Sequence, residues 1–209
     1  MVFASMLRAH DAYAVAAFPS CGLGLIAARP LRKGQRVRDA PLLRAGRGDV
    51  TETLYTQPWA MTHAACCTGD ADLLATVQAM ARSLRGMPFR VLAWEPSDSV
   101  ALDAIVDASG LERNAVFRTY SMICSANMRD EAGTAYLLEM GAFMNHACVP
   151  NMRVQRDLAF VLVAARDISP GEEITISYVP DVPVEERGLR AALLESLYGF
   201  VCTCALCKV

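Results

Sequence analysis

The chain has 209 residues, of which 54% are hydrophobic, and a formal net charge of −2. That length suffices for one sizeable hydrophobic core, and the near-neutral balance, without a run of Lys or Arg, argues against direct binding to nucleic acid. No run of about 18 apolar residues is free of charged or turn residues, so we expect no transmembrane helix and no membrane partner. Arg8, His10 and Asp11 argue against a secretory signal.

The first predicted elements are short strands. Residues 13–40 alternate short apolar runs with turn signals such as PSCGLG and RPLRKGQ. Residues 50–118 differ, because Ala, Leu, Met and Gln recur there at helical spacing, and this block is predicted to be helical. Within it, Ser97 and Ser99 are candidate N-caps of one helix, which Gly110 is predicted to end.

From about residue 133 the pattern returns to strands. LAFVLVAARDI is an apolar run of strand length, and EEITISYV alternates Ile174 and Ile176 with polar residues. Residues 183–199 are predicted to be a helix, with proline near its start and glycine at its end. We therefore expect one fold built from the two β-rich ends of the chain, with the helical middle inserted.

The cysteines predict a metal site. Without a secretory signal, we interpret them as reduced thiols or metal ligands. The last three have the compact spacing CxCxxC, which supplies three vertices of a tetrahedral zinc site; the alternative is a set of idle thiols in a frayed tail. These three are Cys202, Cys204 and Cys207. Cys148 is the preferred fourth ligand over Cys66 and Cys67, because adjacent thiols rarely bind one tetrahedral ion and this pair is interpreted as small buried residues.

A second unusual segment is NHACVPN, residues 145–151, where amide, imidazole and thiol groups crowd into a stretch with little charge. Side-chain amides both donate and accept hydrogen bonds, which suits a binding site better than a hydrophobic core. Near the N-terminus, Gly22 and Gly24 lack a Cβ and would let the backbone approach a ligand closely. A plain hairpin turn is the alternative interpretation of these glycines.

Four segments, in this order along the chain, resemble the SET-domain family of protein-lysine methyltransferases. They are GLGLIA at 22–27, NHACVPN at 145–151, GEEITISY at 171–178 and YGFVCTCALC at 198–207. The SET-and-MYND branch is the most similar, because it shares the helical insertion and a YxFxCxCxxC ending. The resemblance implies a β-rich α+β fold: small curved sheets with a C-terminal pseudoknot, a helical insertion and a zinc-binding post-SET tail.

The resemblance also implies a domain plan. The SET domain would cover residues 1–200, with the helical insertion at about 45–118, and residues 201–209 would be the post-SET zinc-binding segment. Because the insertion has too few cysteines and histidines for two more zinc ions, as a MYND finger requires, and the chain ends just after its last cysteine, we expect neither that finger nor the branch's C-terminal helical-repeat domain. A family asparagine upstream of the NH motif has Tyr120 or Ser121 near its expected position.

The function implied by the resemblance is methyl transfer from S-adenosyl-L-methionine to the side-chain amine of a lysine in a protein. The implied cofactor-binding residues are Gly22, Leu23, Gly24, Asn145, His146, Tyr178 and Phe200. Tyr178 and Tyr198 are the implied catalytic residues, with Tyr178 orienting the amine and Tyr198 walling the lysine channel. One structural zinc ion would be held by Cys148, Cys202, Cys204 and Cys207.

The neighbours of these residues have simpler expected roles. Asn151 is expected to brace the NHACVPN loop, and Glu172 and Glu173 are interpreted as surface or turn residues. The expected partner is a lysine-containing protein or peptide, histone or non-histone, bound by a monomer in the cytoplasm or nucleus. The alternative is a catalytically inactive SET-fold module that binds peptide or cofactor; the complete set of motif residues favours the enzyme.

Overall fold

The computed structural model describes residues 11–19, 21–46, 50–83, 96–126, 128–130, 132–155 and 161–207. The described strands are β1 (Tyr13–Phe18), β2 (Gly22–Ala27), β3 (Arg36–Arg38), β4 (Pro41–Ala45), β5 (Met128–Arg129), β6 (Ala135–Leu138), β7 (Asn145–His146), β8 (Met152–Gln155), β9 (Val161–Ala164) and β10 (Glu173–Ile176). The described helices are α1 (Val50–Cys66), α2 (Ala71–Ser83), α3 (Pro96–Ser109), α4 (Arg113–Ala126) and α5 (Arg187–Leu193). Two parts of the sequence interpretation lie outside the described residues. They are Arg8 and His10, which argue against a secretory signal, and the start of LAFVLVAARDI.

The described residues form two compact units. The described residues between 40 and 142 make the first, here called the helical unit, which contains α1–α4 and the three-stranded sheet β4-β6-β5. Residues 11–39 and 143–207 make the second, here called the terminal unit, because it combines the two ends of the described chain. The terminal unit contains the other two sheets, β1-β2-β10-β7 and β3-β9-β8.

In the helical unit, apolar spacing produces buried helix faces, as in α2, where Val77 and Met80 are fully buried. Gly110 ends α3 with a left-handed φ of +66°, as predicted. The two predicted N-cap serines are wrong, because α3 begins at Pro96 and both lie inside it. Helix α4 also continues to Ala126, past the predicted end of the helical block at residue 118. Tyr120 stacks on Trp59 with ring centroids 3.7 Å apart.

The terminal unit is organised by its four-stranded sheet. β1 and β2 form an antiparallel hairpin, so the hairpin interpretation of GLGLIA is correct for its local structure. β10 pairs antiparallel with β2 on one side and parallel with β7 on the other, which makes the sheet mixed. Ile174 and Ile176 are buried, as their alternation predicted, because successive strand residues face opposite sides.

The last helix of the terminal unit begins later than predicted. α5 starts at Arg187 rather than residue 183 and continues into a π-helical turn, Leu194–Tyr198. Gly199 ends this turn in the left-handed region, at φ +72°, as predicted. None of the described helices combines the length and the apolar character that a membrane span requires.

Candidate active site and metal centre

The parallel pair β7–β10 brings the two central motifs together. Asn145 lies opposite Thr175 and His146 lies opposite Ile176 in this pair. The backbone N–H of Ala147 continues the ladder by donating to the Ile176 carbonyl at 3.0 Å. Because parallel strands run in the same direction, the residues that follow both strands emerge at the same edge of the sheet. Cys148 and Tyr178 are therefore neighbours although 30 residues separate them.

Asn151 braces this arrangement, as predicted. Its side-chain Nδ2 donates to the Glu173 carbonyl at 2.7 Å, and the Thr175 N–H donates to its Oδ1 at 2.9 Å. The amide thus acts as a further partner for the β10 backbone. Only 3% of Asn151 is exposed, so these backbone groups are satisfied away from water.

The Asn145 amide is buried and points toward strand β2. Its Nδ2 lies 2.9 Å from Glu173 Oε1, 3.2 Å from Cys21 Sγ and 3.4 Å from the Leu23 carbonyl oxygen. A Cβ at Gly24 would lie 2.5 Å from the same Nδ2. Gly24 is therefore needed first to make room for Asn145, whereas Gly22 is needed for its left-handed φ of +78°.

Glu173 is one residue whose role was not predicted. The surface or turn interpretation is wrong for it, because it lies in β10 and accepts a hydrogen bond from the buried Asn145 amide. The interpretation is correct for Glu172, which closes the turn before β10 by accepting from the Ser169 N–H at 3.1 Å. The alternation along the strand could have indicated this role, because Glu173 and Thr175 share the strand face opposite to the buried isoleucines.

The His146 ring is half-buried and has a polar contact at each nitrogen. Its Nδ1 accepts a hydrogen bond from the backbone N–H of Tyr178 at 3.1 Å, and its Nε2 lies 3.3 Å from Cys148 Sγ. Burial, with a smaller contribution from the Arg190 charge, lowers the pKa of His146 to about 4. The imidazole is therefore neutral at physiological pH.

Tyr178 lies at the centre of an aromatic group. Its hydroxyl donates to the Met144 carbonyl at 2.6 Å, and the Tyr198 hydroxyl donates to the Tyr178 carbonyl at 3.4 Å. The Tyr178 ring centroid lies 4.8 Å from that of Tyr198 and 6.2 Å from that of Phe200. Burial, followed by the neighbouring Tyr198, raises the pKa of Tyr178 well above its usual value, so it remains a neutral phenol.

Arg190 is a second residue that the sequence interpretation missed. It is 3% exposed and donates from α5 to the carbonyls of Val179 and Val182 and to the Ser177 hydroxyl. These acceptors surround Tyr178 in the chain, so the guanidinium fixes the segment that carries the tyrosine. The signal was helical spacing, because Arg190 shares a helix face with the buried Leu194.

Four thiols converge in the same unit. They are Cys148, Cys202, Cys204 and Cys207, and their sulfur atoms all lie within 4.8 Å of one another. Cys148 Sγ is 3.9 Å from Cys202 Sγ and 3.5 Å from Cys207 Sγ. Sulfur atoms bound tetrahedrally at about 2.3 Å from zinc lie roughly 3.8 Å apart, so the arrangement is consistent with one zinc ion. The alternative ligands Cys66 and Cys67 belong to the helical unit.

The protonation of these thiols reflects their crowding. Burial raises the pKa of Cys207 to about 11 and raises that of Cys202 above its ordinary value. Burial also acts on Cys204, but hydrogen bonds from the Cys148 backbone and the Cys202 thiol outweigh it and lower its pKa to about 6. Without a metal ion, Cys202 and Cys207 therefore keep their protons at neutral pH.

The four-cysteine cluster and the aromatic group share one small hydrophobic core, here called the C-terminal core. Its buried members are Cys148, Val179, Leu194 and Cys202, and the half-buried side chains packed against it include Tyr178, Tyr198, Phe200, Cys204 and Cys207. All predicted site residues of the terminal unit thus lie on β2, β7, the segment after β10, or this core.

Comparison with known proteins identifies the family. Residues 22–179 match the SET domain family. The chain is 42% identical over 81 residues to histone-lysine N-methyltransferase ATXR2 of Arabidopsis thaliana, covering 36% of this chain and 16% of that protein. It is 30% identical over 120 residues to human protein-lysine N-trimethyltransferase SMYD5, covering 56% of this chain and 27% of that protein.

Mouse histone-lysine N-methyltransferase SMYD3 is also similar, at 34% identity over 87 residues, with 41% of this chain and 19% of that protein covered. The matched regions thus make up about a quarter or less of these curated relatives. A crystal structure of the SET domain of LSMT bound to lysine and AdoHcy is similar at a TM-score of 0.48 and 12% identity, covering 96% of this chain and 56% of that chain. The match to residues 22–179 spans most of the sequence and includes three of the four motif segments and the strand pair β7–β10. Because the match has this extent, the chain belongs to the SET domain family.

Proposed function

We propose that this chain is the catalytic SET module of an S-adenosyl-L-methionine-dependent protein-lysine N-methyltransferase. The observation that carries the proposal is the grouping of Tyr178, Tyr198 and Phe200 beside the β7 residues Asn145 and His146. The names of the curated relatives, which are lysine methyltransferases, support the same reaction. The catalysed step is an in-line transfer of a methyl group to a neutral amine, for which positioning supplies most of the rate enhancement.

The proposed cofactor site lies along β2 and β7. When bound, S-adenosyl-L-methionine supplies an electrophilic methyl group on a sulfonium and carries an ammonium–carboxylate tail and an adenine ring. The donor set fits that molecule: the Asn145 amide and the backbone of Gly22, Leu23 and Gly24 offer polar groups, His146 offers its backbone, and the Phe200 ring offers an aromatic face. Stacking of an aromatic ring on a purine contributes about 1–3 kcal/mol.

The proposed amine-binding residues are Tyr178 and Tyr198. The Tyr178 hydroxyl already donates its proton to the Met144 carbonyl, so its oxygen lone pairs are left to accept a hydrogen bond from the amine. Because its pKa is raised, Tyr178 is not the base that deprotonates the lysine. Lysine has a reference pKa of about 10.4. A bound sulfonium and exclusion of water would both lower that value and so favour the neutral amine that the transfer requires.

One structural zinc ion is proposed for the four-cysteine cluster. The distances between sulfur atoms support tetrahedral coordination by Cys148 and the three terminal thiols. Such an ion would hold the C-terminal segment against β7, and we propose that this segment is a post-SET tail that completes a C-terminal pseudoknot. We assign residues 1–200 to the SET domain, with the helical insertion at about 45–118, and residues 201–209 to the zinc-binding segment.

The proposed partner is a lysine-containing protein or peptide, histone or non-histone, and the proposed location is the cytoplasm, the nucleus or both. We further propose that the chain is monomeric and binds neither nucleic acid nor membrane directly. A methylation screen on a peptide array, with histones and a cell lysate as further substrates, identifies the target lysine and separates these substrate classes.

The test of the reaction compares the wild type with Tyr178→Phe. Calorimetry with S-adenosyl-L-methionine measures cofactor binding, and transfer of a labelled methyl group measures turnover. We expect Tyr178→Phe to bind the cofactor and retain zinc but to lose about 100-fold or more in kcat, because the amine is no longer oriented. Tyr136→Phe is the matched control, since Tyr136 lies in the helical unit and its hydroxyl contacts Asp130; it should keep full turnover.

Each outcome decides between the candidate functions. Full activity in Tyr178→Phe would show that its assigned role is wrong. Cofactor binding without transfer to any substrate would favour the inactive binding module. A wild-type protein that binds no S-adenosyl-L-methionine would overturn the proposal.

A further inference from the structure

The His146 side chain contacts both the Tyr178 backbone and a thiol of the cysteine cluster. On one side, its Nδ1 lies 3.1 Å from the backbone nitrogen of Tyr178; on the other, its Nε2 lies 3.3 Å from Cys148 Sγ. The proposed cofactor contact of His146 uses its backbone, so the imidazole is available for another task. Its position in β7, opposite Ile176 of β10, is what allows the ring to reach both partners.

The direction of each hydrogen bond follows from the backbone. An amide N–H can only donate, so Nδ1 must present its lone pair to Tyr178. The single proton of the neutral ring is then on Nε2, where it points to the Cys148 sulfur. The neutral ring with its proton on Nε2 thus satisfies both contacts at once.

Two aromatic rings hold the imidazole in this orientation. The His146 ring centroid lies 5.4 Å from that of Tyr178 and 6.0 Å from that of Phe200, with interplanar angles of 57° and 55°. These tilted arrangements are favourable for aromatic pairs. A change at the sulfur therefore acts on a ring that cannot rotate freely away from Tyr178.

We infer that His146 is a positioning residue that couples the metal centre to Tyr178 through Nε2–H···Sγ on one side and Nδ1···H–N on the other. This inference rests on the proposed zinc site and on the proposed role of Tyr178. A hydrogen bond to a ligating thiolate withdraws charge from the sulfur and orients it, and removing such outer partners typically weakens metal binding 10–100-fold. Loss of zinc would in turn release the ring that fixes the Tyr178 backbone.

Two variants, each of which reproduces one ring nitrogen of His146, separate the Tyr178 contact from the Cys148 contact. In His146→Asn, the amide oxygen replaces Nδ1 and keeps the Tyr178 contact, but the side chain is too short to reach Cys148. In His146→Gln, the amide nitrogen replaces Nε2 and keeps the sulfur contact, but no acceptor faces the Tyr178 N–H. His63→Asn, an exposed histidine of the helical unit, is the matched control.

The readouts are zinc release to a colorimetric chelator, the absorption spectrum of the cobalt-substituted protein, and kcat. We expect His146→Asn to release zinc about 10–100-fold faster and to shift the sulfur-to-cobalt charge-transfer band. We expect His146→Gln to keep the zinc release rate and the band near those of the wild type while kcat falls about tenfold or more. His63→Asn should change none of the three.

A measurement on the wild type covers the case in which a variant fails to fold. Long-range proton–nitrogen NMR of histidine-labelled protein distinguishes the two neutral tautomers, and His146 is expected to carry its proton on Nε2. An Nδ1–H tautomer, or a His146→Asn protein whose zinc release and cobalt spectrum match the wild type, would overturn the inference. Protein without any zinc would overturn the metal centre itself, and zinc-bound protein without turnover would overturn only the proposed reaction.

Discussion

Gly24 shows how one missing side chain shapes the site. Its lack of a Cβ first suggested close approach to a cofactor, but the nearest groups belong to the protein. A Cβ there would lie 2.5 Å from Asn145 Nδ2 and 2.8 Å from the Phe18 ring, both far inside normal contact distance. Because the Asn145 amide is also held by Glu173, it cannot move aside without losing that hydrogen bond.

Gly24→Ala should therefore displace Asn145 and weaken cofactor binding about tenfold or more, while overpacking lowers the free energy of unfolding by about 1–3 kcal/mol. Calorimetric titration and chemical denaturation measure the two effects. Gly188→Ala is the control, since Gly188 is exposed, lies in α5 and has nothing within 4 Å of an added Cβ. That variant should be equally or slightly more stable; unchanged cofactor affinity in Gly24→Ala would contradict the role of Asn145.

Strand β7 has only two residues, so its position on β10 depends on more than its own ladder. Asn151 supplies the missing support, because its amide bonds the Glu173 carbonyl and the Thr175 N–H in the middle of β10. The backbone carbonyl of Asn151 also accepts from Ala165, which ties the loop to the end of β9. A loop residue thus keeps two short strands in register.

Asn151→Ala should leave two buried backbone groups of β10 without a partner and lower the free energy of unfolding by about 1–3 kcal/mol. Urea denaturation measures the change. The control is Arg153→Ala on the neighbouring β8, whose side chain is exposed and whose loss should cost less than about 0.5 kcal/mol. Equal stability in the two variants would mean that Asn151 does not brace the sheet.

Considered as a whole, the terminal unit depends on parts of the chain that lie far apart in sequence. The C-terminal core contains Cys148 and Val179 together with side chains from the last ten described residues. These last residues form no strand or α-helix, so few backbone hydrogen bonds hold them. A metal ion at the four thiols would contribute its binding free energy to the folding of this segment.

Removal of zinc should lower the melting temperature by several degrees, since each kcal/mol lost costs about 2–4 °C in a chain of this size.

Zinc binding should be stronger at higher pH. Cys202 and Cys207 have raised pKa values and are protonated at neutral pH without metal, whereas zinc requires thiolates, so on the order of two protons are released. Calorimetry in buffers of different ionisation enthalpy counts them.

Variants of single cysteines identify the ligands. Cys204→Ser should bind zinc much more weakly than the wild type, because one thiolate is lost. Cys67→Ser, in the helical unit, should keep one zinc per chain. A Cys67→Ser protein without zinc, or pH-independent zinc binding, would be incompatible with the proposed ligand set.

The sequence alone determined the local features of this protein. CxCxxC confines three sulfurs to one turn, alternation in EEITISY decides which isoleucines are buried, and Gly110 and Gly199 end helices because they tolerate left-handed backbone. Each of these depends on residues within a few positions of one another, where covalent geometry limits the possible arrangements. The four motifs in order predicted the family, and the unusual segment NHACVPN pointed to Cys148 as the distant thiol.

Only the tertiary structure decided which groups meet. The contacts of Glu173 with Asn145, of His146 with Cys148 and Tyr178, and of Arg190 with the chain around Tyr178 depend on the register of β7 against β10 and on the packing of α5. A shift of one residue in that register would turn each side chain to the opposite face of the sheet. No short segment specifies such a register, because it results from many weak contacts across the whole terminal unit.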